Sequence, residues 1–290
     1  MTPDEGLGAG ADSVDLAQEM RDAAAYLSRP ASTATSSTRK SSKTSDLSID
    51  EEFALHSIGW EPVQLVCGVS LYSVPMGVWN WGVGEIGYAS EAYARAFAGA
   101  NDRIHEECTK MGGRGVVGAH VEAEVHRHHV DVSIVGTAVR PVGSSGLSAD
   151  PVFVSDLSGR DFALLHRAGW AAVGLAVGAS FVYAPRRTAG VAMKQKSQNV
   201  ELTNFTEAMY SARESAMARM QESALAMEGT GVVEVKVKEG PMSFANHAVG
   251  FTAYGTVVRL LGEHTRIDPL MILPLDDPTS AFDASSLRGG

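Results

Sequence analysis

Seven side chains able to ligate a metal or carry a proton, His120, Glu122, Glu124, His126, His128, His129 and Asp131, fall within residues 120–132, HVEAEVHRHHVDV. Side chains of an extended strand alternate between faces, so His120, Glu122, Glu124, His126 and His128 project from one side and Val121, Ala123 and Val125 from the other. A row of imidazoles and carboxylates suits zinc, copper or nickel. The same alternation is also what the wet face of a half-buried antiparallel strand looks like. The rest of the chain has to decide between them.

Other candidate chemistry is sparse. The sequence holds no Gly-rich phosphate loop, HExxH helix or nucleophile elbow. The segment MGGRGVV, 111–117, runs from helix to strand, the reverse of a phosphate loop, and its glycines read as helix caps. Two cysteines, Cys67 and Cys108, provide neither a disulfide framework nor a cysteine zinc site; each sits in an apolar pattern and is expected to be buried. No catalytic residue is assigned and no enzyme is expected. The net charge of −10 argues against a general nucleic-acid binder, which needs a basic stripe. The acidic N-terminus lacks the apolar core of a signal peptide. The longest apolar run, 171–184, is too short to span a bilayer. A cytoplasmic protein is expected.

The elements that must position these residues occur twice. Residues 45–75 and 155–185 align without a gap at an offset of 110 with 13 of 31 positions identical, where unrelated sequence gives about two. Later, MGGRGVVGAHVEA (111–123) matches MEGTGVVEVKVKE (227–239) at offset 116, and VSIVGTAV (132–139) matches FTAYGTVV (251–258) at offset 119. The growing offset places insertions in connecting loops, where they are tolerated.

Each copy reads as a short helix, a strand, a long helix and two strands. Ser48 with Glu51 and Ser158 with Asp161 have capping-box spacing, and Gly59 and Gly169 stand where a left-handed residue ends the helix. His56 and His166, in the last turn, suit the negative helix end. Trp60 and Trp170 read as core anchors. Apolar strands follow over 63–74 and 173–183. Then Tyr93, Phe97, Ala100, Ile104, Cys108 and Met111, and in the second copy Met209, Ala212, Ala216, Met220, Ala224 and Met227, are spaced as one face of a helix, and Gly112 and Gly113, then Gly229, are expected to end these helices. Asn204 with Glu207 has the same cap-box spacing. A sheet covered on one face by a helix is a two-layer α+β domain.

These motifs, MGGRGVVG with VGTAV and their echoes MEGTGVVE and YGTVV, resemble the YbjQ family, whose members carry a heavy-metal-binding label; the SDLS and GW segments resemble its actinobacterial form. The resemblance implies dodecin-like β-α-β-β subunits assembling into a ring, typically of five, and supplies no ligand set. The expected organisation is an N-terminal segment and linker over 1–44, domains over 45–142 and 152–262, and a tail over 263–290. Residues 1–44, with a weak helix at Leu16, Met20, Ala24 and Leu27 and a Ser/Thr-rich linker, are a candidate contact for a protein partner. Whole chains fill either two coaxially stacked rings in a pentamer or one ring of six domains made by three chains. The copies differ most at 76–87 and 185–198, which favours five chains with like contacting like.

The repeat also serves as a control on the histidines. His120 and Glu122 correspond to Lys236 and Lys238, and lysine does not suit a divalent metal site, so this face is expected to be solvated. The turn HRHH remains. An exposed polar turn is the simpler reading; the alternative is a divalent metal site built from His126, His128 and Glu124. Otherwise no cofactor is expected. Trp79 and Trp81, placed on one strand face, are the expected interface with a neighbouring subunit.

Overall fold

The computed structural model describes residues 44–79, 82–144, 151–187, 199–245 and 247–262. The expected N-terminal helix, the linker, the C-terminal tail, Trp81 and most of 185–198 lie outside the described residues. The first repeat comprises α1 (Ile49–Ser57), β1 (Trp60–Ser73), β2 (Gly84–Glu85), α2 (Gly87–Lys110), β3 (Gly115–Val125) and β4 (His129–Pro141). The second comprises β5 (Phe153–Val154), α3 (Gly159–Arg167), β6 (Trp170–Tyr183), α4 (Thr203–Ala226), β7 (Gly231–Pro241) and β8 (Ala248–Leu260). This is the α+β fold of two tandem β-α-β-β units, each preceded by a short helix. None of the described helices is long and apolar enough to cross a membrane.

The caps form as the spacing requires. The amide of Ser48 donates to Glu51 Oε2 at 2.8 Å, and Ser158 Oγ accepts the amide of Asp161 at 3.1 Å. Gly59 and Gly169 take φ of +77° and +82°, the left-handed conformation that a side chain resists. In α2 the buried face includes Tyr93, Phe97, Ala100, Ile104 and Cys108, while Met111, expected on it, is the C-cap and is exposed; in α4 it runs through Ala208, Ala212, Ala216, Met220 and Ala224, with Met209 and Met227 only half-buried at its margin. Asn204 does not cap α4. The cap position is two residues earlier, at Leu202, and the Asn204 side-chain amide instead donates to the Pro185 carbonyl at 2.7 Å.

The sheets run β1-β4-β3-β5 and β2-β6-β8-β7. Each therefore borrows an outer strand from the other repeat. β5 lies parallel to β3 through Gly115–Phe153 and Val116–Val154, while β2 lies antiparallel to β6 through Gly84–Tyr183 and Glu85–Val182. An open strand edge is a row of unmet backbone donors and acceptors, and the exchange satisfies two such edges at once.

Cys67 departs from expectation. Cys108 is buried in the first core, but Cys67 is exposed, because Val66, Gly68 and Ser70 are the buried, helix-facing residues of β1 and Cys67 belongs to the opposite face.

Candidate functional site

Strand β3 stops at Val125 and β4 starts at His129, so residues 126–128 form a turn closed by the His126 amide donating to the His129 carbonyl at 2.9 Å. Strand alternation therefore ends before His128. That residue is exposed, and its carbonyl accepts the amide of Val74 at 2.7 Å. The side chains that converge are His126, His129 and Asp131, whose ligand atoms lie within 4.8 Å of one another. The His126 and His129 rings stack at 4.5 Å. His126 Nε2 is 3.0 Å from Asp131 Oδ1 and 3.4 Å from Glu124 Oε2. Glu124 and Asp131 are brought together as cross-strand partners. Of the three residues singled out in the sequence, the structure gathers His126 and Glu124 and leaves His128 outside. Asp131 stands beside the turn in the sequence as a carboxylate partner, whereas His129 joins it only because the two alternate onto one face of β4, which the placement of the turn decides.

The donor set fits a borderline divalent ion. Two imidazoles and a carboxylate make three ligands of a zinc-type site. The Asp131 Oδ1 atom is buried and has no hydrogen-bond partner among the described residues, although it lies within ion-pair distance of His126. We take the geometry to be unaligned for a hydrogen bond, leaving a buried acceptor that a shared cation would satisfy. By contrast His120 and Glu122, 3.5 Å apart and each about 70% exposed, stay on the wet face.

The same turn reaches the contact between repeats. Trp79 lies in a turn, not a strand, and is buried in this chain; its Nε1 donates to the Arg127 carbonyl at 2.9 Å. Its ring meets Phe181 and Phe244 of the second repeat edge to face, at 5.9 and 4.9 Å. Nearby, Tyr93 of α2 contacts Phe181 at 6.1 Å; burial pushes its hydroxyl up to about 12. Glu124 and His126 line a cleft of about 330 Å³ here with Tyr93, Phe181 and Lys238.

Glu85 anchors the exchanged strand. It receives Ser90 Oγ at 2.7 Å from its own repeat and Ser180 Oγ at 3.0 Å from the other, and pairs with Arg219 of α4. The guanidinium hydrogen bonds hold the Glu85 carboxyl below its ordinary range against the opposing effect of burial. At the other exchanged strand, the Ser155 amide donates to the Val116 carbonyl and its carbonyl accepts the Ala119 amide, both at 2.9 Å. Sequence reasoning missed this reciprocal clamp because Glu85 and β5 lie in connecting segments without periodicity.

The family described as "Putative heavy-metal-binding" matches residues 182–261, within the second repeat. A protein of Mycobacterium tuberculosis (strain ATCC 25618 / H37Rv) named encapsulin nanocompartment protein Rv1762c is 36% identical over 242 residues, covering 80% of this chain and 92% of that protein. No solved structure matches.

Proposed function

Because the chain belongs to the YbjQ-like family in its tandem, actinobacterial form, we propose that it is a non-enzymatic, ring-forming assembly or binding protein of the cytoplasm. Its relative is named as a nanocompartment protein, and this chain is then a candidate component of such an assembly. The observation that carries the reading is the exchange of β2 and β5 between repeats: the fold meets its neighbour by strand pairing, the means by which repeated units join. Residues 1–44 remain the segment available for a protein partner. Native mass spectrometry of the full chain tests the reading. A homo-oligomer of closed symmetry is expected, at three or five times 30.6 kDa; a monomer overturns it. Turnover of a metabolite, abolished by one polar substitution, would overturn the non-enzymatic part.

A second reading, metal binding or buffering at the His-rich turn of the first repeat, is favoured by the buried and unsatisfied Asp131 Oδ1 beside His126. Calorimetry with zinc, copper and nickel tests it, and the absence of a saturable difference between the parent and His126→Ala would remove it.

A further inference from the structure

We infer that the partner of this chain is a second copy joined head to tail, the second repeat of one chain meeting the first repeat of the next through the same contact that joins the two repeats within a chain. The inference rests on the assembly reading above and specifies its interface.

The argument compares equivalent positions. Gly68 and Gly178 approach Ala100 and Ala216 alike, which fixes the offsets of 110 for β1 and β6 and 116 for α2 and α4. Several elements used at the junction inside the chain have equivalents among the described residues that are exposed at the ends. Phe181 of β6 is 1% exposed against the first repeat, and its equivalent on β1, Leu71, is 66% exposed. Val121 of β3 is 6% exposed and its equivalent Val237 of β7 is 51% exposed. Ile86 is 3% exposed, while Leu202 is 41% exposed. Apolar side chains on show at interface-equivalent positions mark a surface that a partner covers.

The backbone repeats the pattern. The segment 153–157 pairs with β3 at a bulge, where Gly118 has φ +63° and its amide donates to Leu157 at 2.8 Å. Strand β7 has the same bulge, with Glu234 at φ +52°. Among the described residues β7 is the outer strand of its sheet, with no neighbour on that side. The matching segment, Thr44, Ser45 and Asp46, is exposed, whereas Val154, Ser155 and Asp156 are buried. Segment 44–47 of one chain therefore has the sequence and exposure to add to β7 of another.

Charge makes the joint specific. Glu201 is the equivalent of Glu85, and it accepts Thr206 Oγ1 at 2.8 Å as Glu85 accepts Ser90. The equivalents of the Glu85 partners Arg219 and Ser180 are Arg103 and Ser70. Among the described residues no cation lies against Glu201, and Arg103 donates to the Gly99 carbonyl alone. Glu201 thus meets Arg103 and Ser70 of the next chain. The helix starts agree: Asp50 of α1 pairs with Arg160 of α3 inside the chain, and these two occupy equivalent positions, so alternation sets opposite charges against each other all round. Like contacting like would set Asp50 against Asp50. The match is not complete, since Phe162, which packs on Trp60 at 5.5 Å, has Glu52 as its equivalent. The joint between chains lacks that aromatic contact.

Alternation of repeats replaces the stacking of like repeats, and a closed ring then holds an even number of domains. Four domains from two chains and six from three are the whole-chain rings nearest the five that the family resemblance implies, and the mass of the assembly distinguishes them.

Charge reversal read by native mass spectrometry on the full chain is the test, because Glu201 and Arg103 are surface residues whose exchange leaves the internal Glu85–Arg219 pair intact. Glu201→Arg and Arg103→Glu should each weaken association at least about tenfold. The double variant E201R/R103E should restore it at the parent's mass, two or three times 30.6 kDa. The far-UV circular dichroism of each variant should stay at the parent's, while the melting temperature falls only by what lost association removes. A parent oligomer that survives both single changes, or a double variant that fails to reassemble, overturns the proposed joint while leaving assembly standing. A monomeric parent overturns both.

Discussion

A Cβ on Gly68 would stand 2.0 Å from the carbonyl oxygen of Ala100, so β1 and α2 touch backbone to backbone. Gly178 repeats the relationship with Ala216 at 1.9 Å. Backbone cannot swing aside as a flexible side chain can, and overpacking of this kind costs about 1–3 kcal/mol, occasionally more. Gly68→Ala and Gly178→Ala should each lower the melting temperature by several degrees, at roughly 2–4 °C per kcal/mol for a domain of this size. Gly59 serves as the control. It has open space around it and φ +77°, so Gly59→Ala should lose only about 1–2 kcal/mol of left-handed backbone strain. A smaller melting shift for Gly68→Ala than for Gly59→Ala would contradict the packing argument.

Acid should loosen the contact between the repeats before it unfolds the cores. The Arg219 hydrogen bonds, with those of Ser90 and Ser180, depress the Glu85 carboxyl in the folded chain. A depressed carboxylate contributes stability that is fully present above the unfolded pKa and is lost as pH falls through the folded one. Glu85→Gln should therefore be less stable than the parent near neutral pH, with the gap closing as pH drops below the ordinary carboxylate range. Paired denaturation curves across that window measure it, and a gap that widens in acid would refute the assignment.

What the sequence made legible was whatever repeats or has a period. Ser48 with Glu51, Gly59, and the 3-and-4 spacing from Tyr93 to Cys108 all translate into local structure because hydrogen bonding within a few residues decides them. Glu228 shows where such reading slips. It, not Gly229, takes the left-handed position at φ 56°, and Gly229 is small because a Cβ would meet Val257 at 2.2 Å. That constraint is tertiary. The same is true of Trp79, which lies in a turn and is buried against Phe181, a residue about one hundred positions away. His129 was passed over because strand alternation was carried through His126 and His128, whereas the chain had already turned.

The two thiols should differ sharply in reactivity. Burial pushes the Cys108 thiol up to about 12, and no thiolate is available near neutral pH to attack a reagent. Cys67 is exposed, with its thiol also raised by burial and by the Glu107 carboxylate, so it should react, but more slowly than a free cysteine. A disulfide reagent at mildly alkaline pH should label one thiol per native chain and two after denaturation, with peptide mapping placing the first at Cys67. Fast native labelling at Cys108 would show that its core opens readily. If chains join as inferred, Cys67 lies on the β1 face that bears Leu71, and its labelling should speed up in the Glu201→Arg variant.

The histidines permit a test that separates a site built by the fold from one suggested by composition. In the folded turn, His126, His129 and Asp131 converge while His128 points its backbone, not its ring, into the structure. A chelate needs its ligands within reach of one ion, and deleting any one of three removes a large share of the affinity. Zinc affinity measured by calorimetry should fall at least about tenfold in His126→Ala, His129→Ala and Asp131→Asn, and stay within about twofold in His128→Ala. Equal losses for His128→Ala and His129→Ala would mean that a flexible polar tract, not the hairpin geometry, gathers the metal. Because the turn also holds Trp79 through the Arg127 carbonyl, zinc should change tryptophan fluorescence in the parent, and that change should disappear in His129→Ala but persist in His128→Ala.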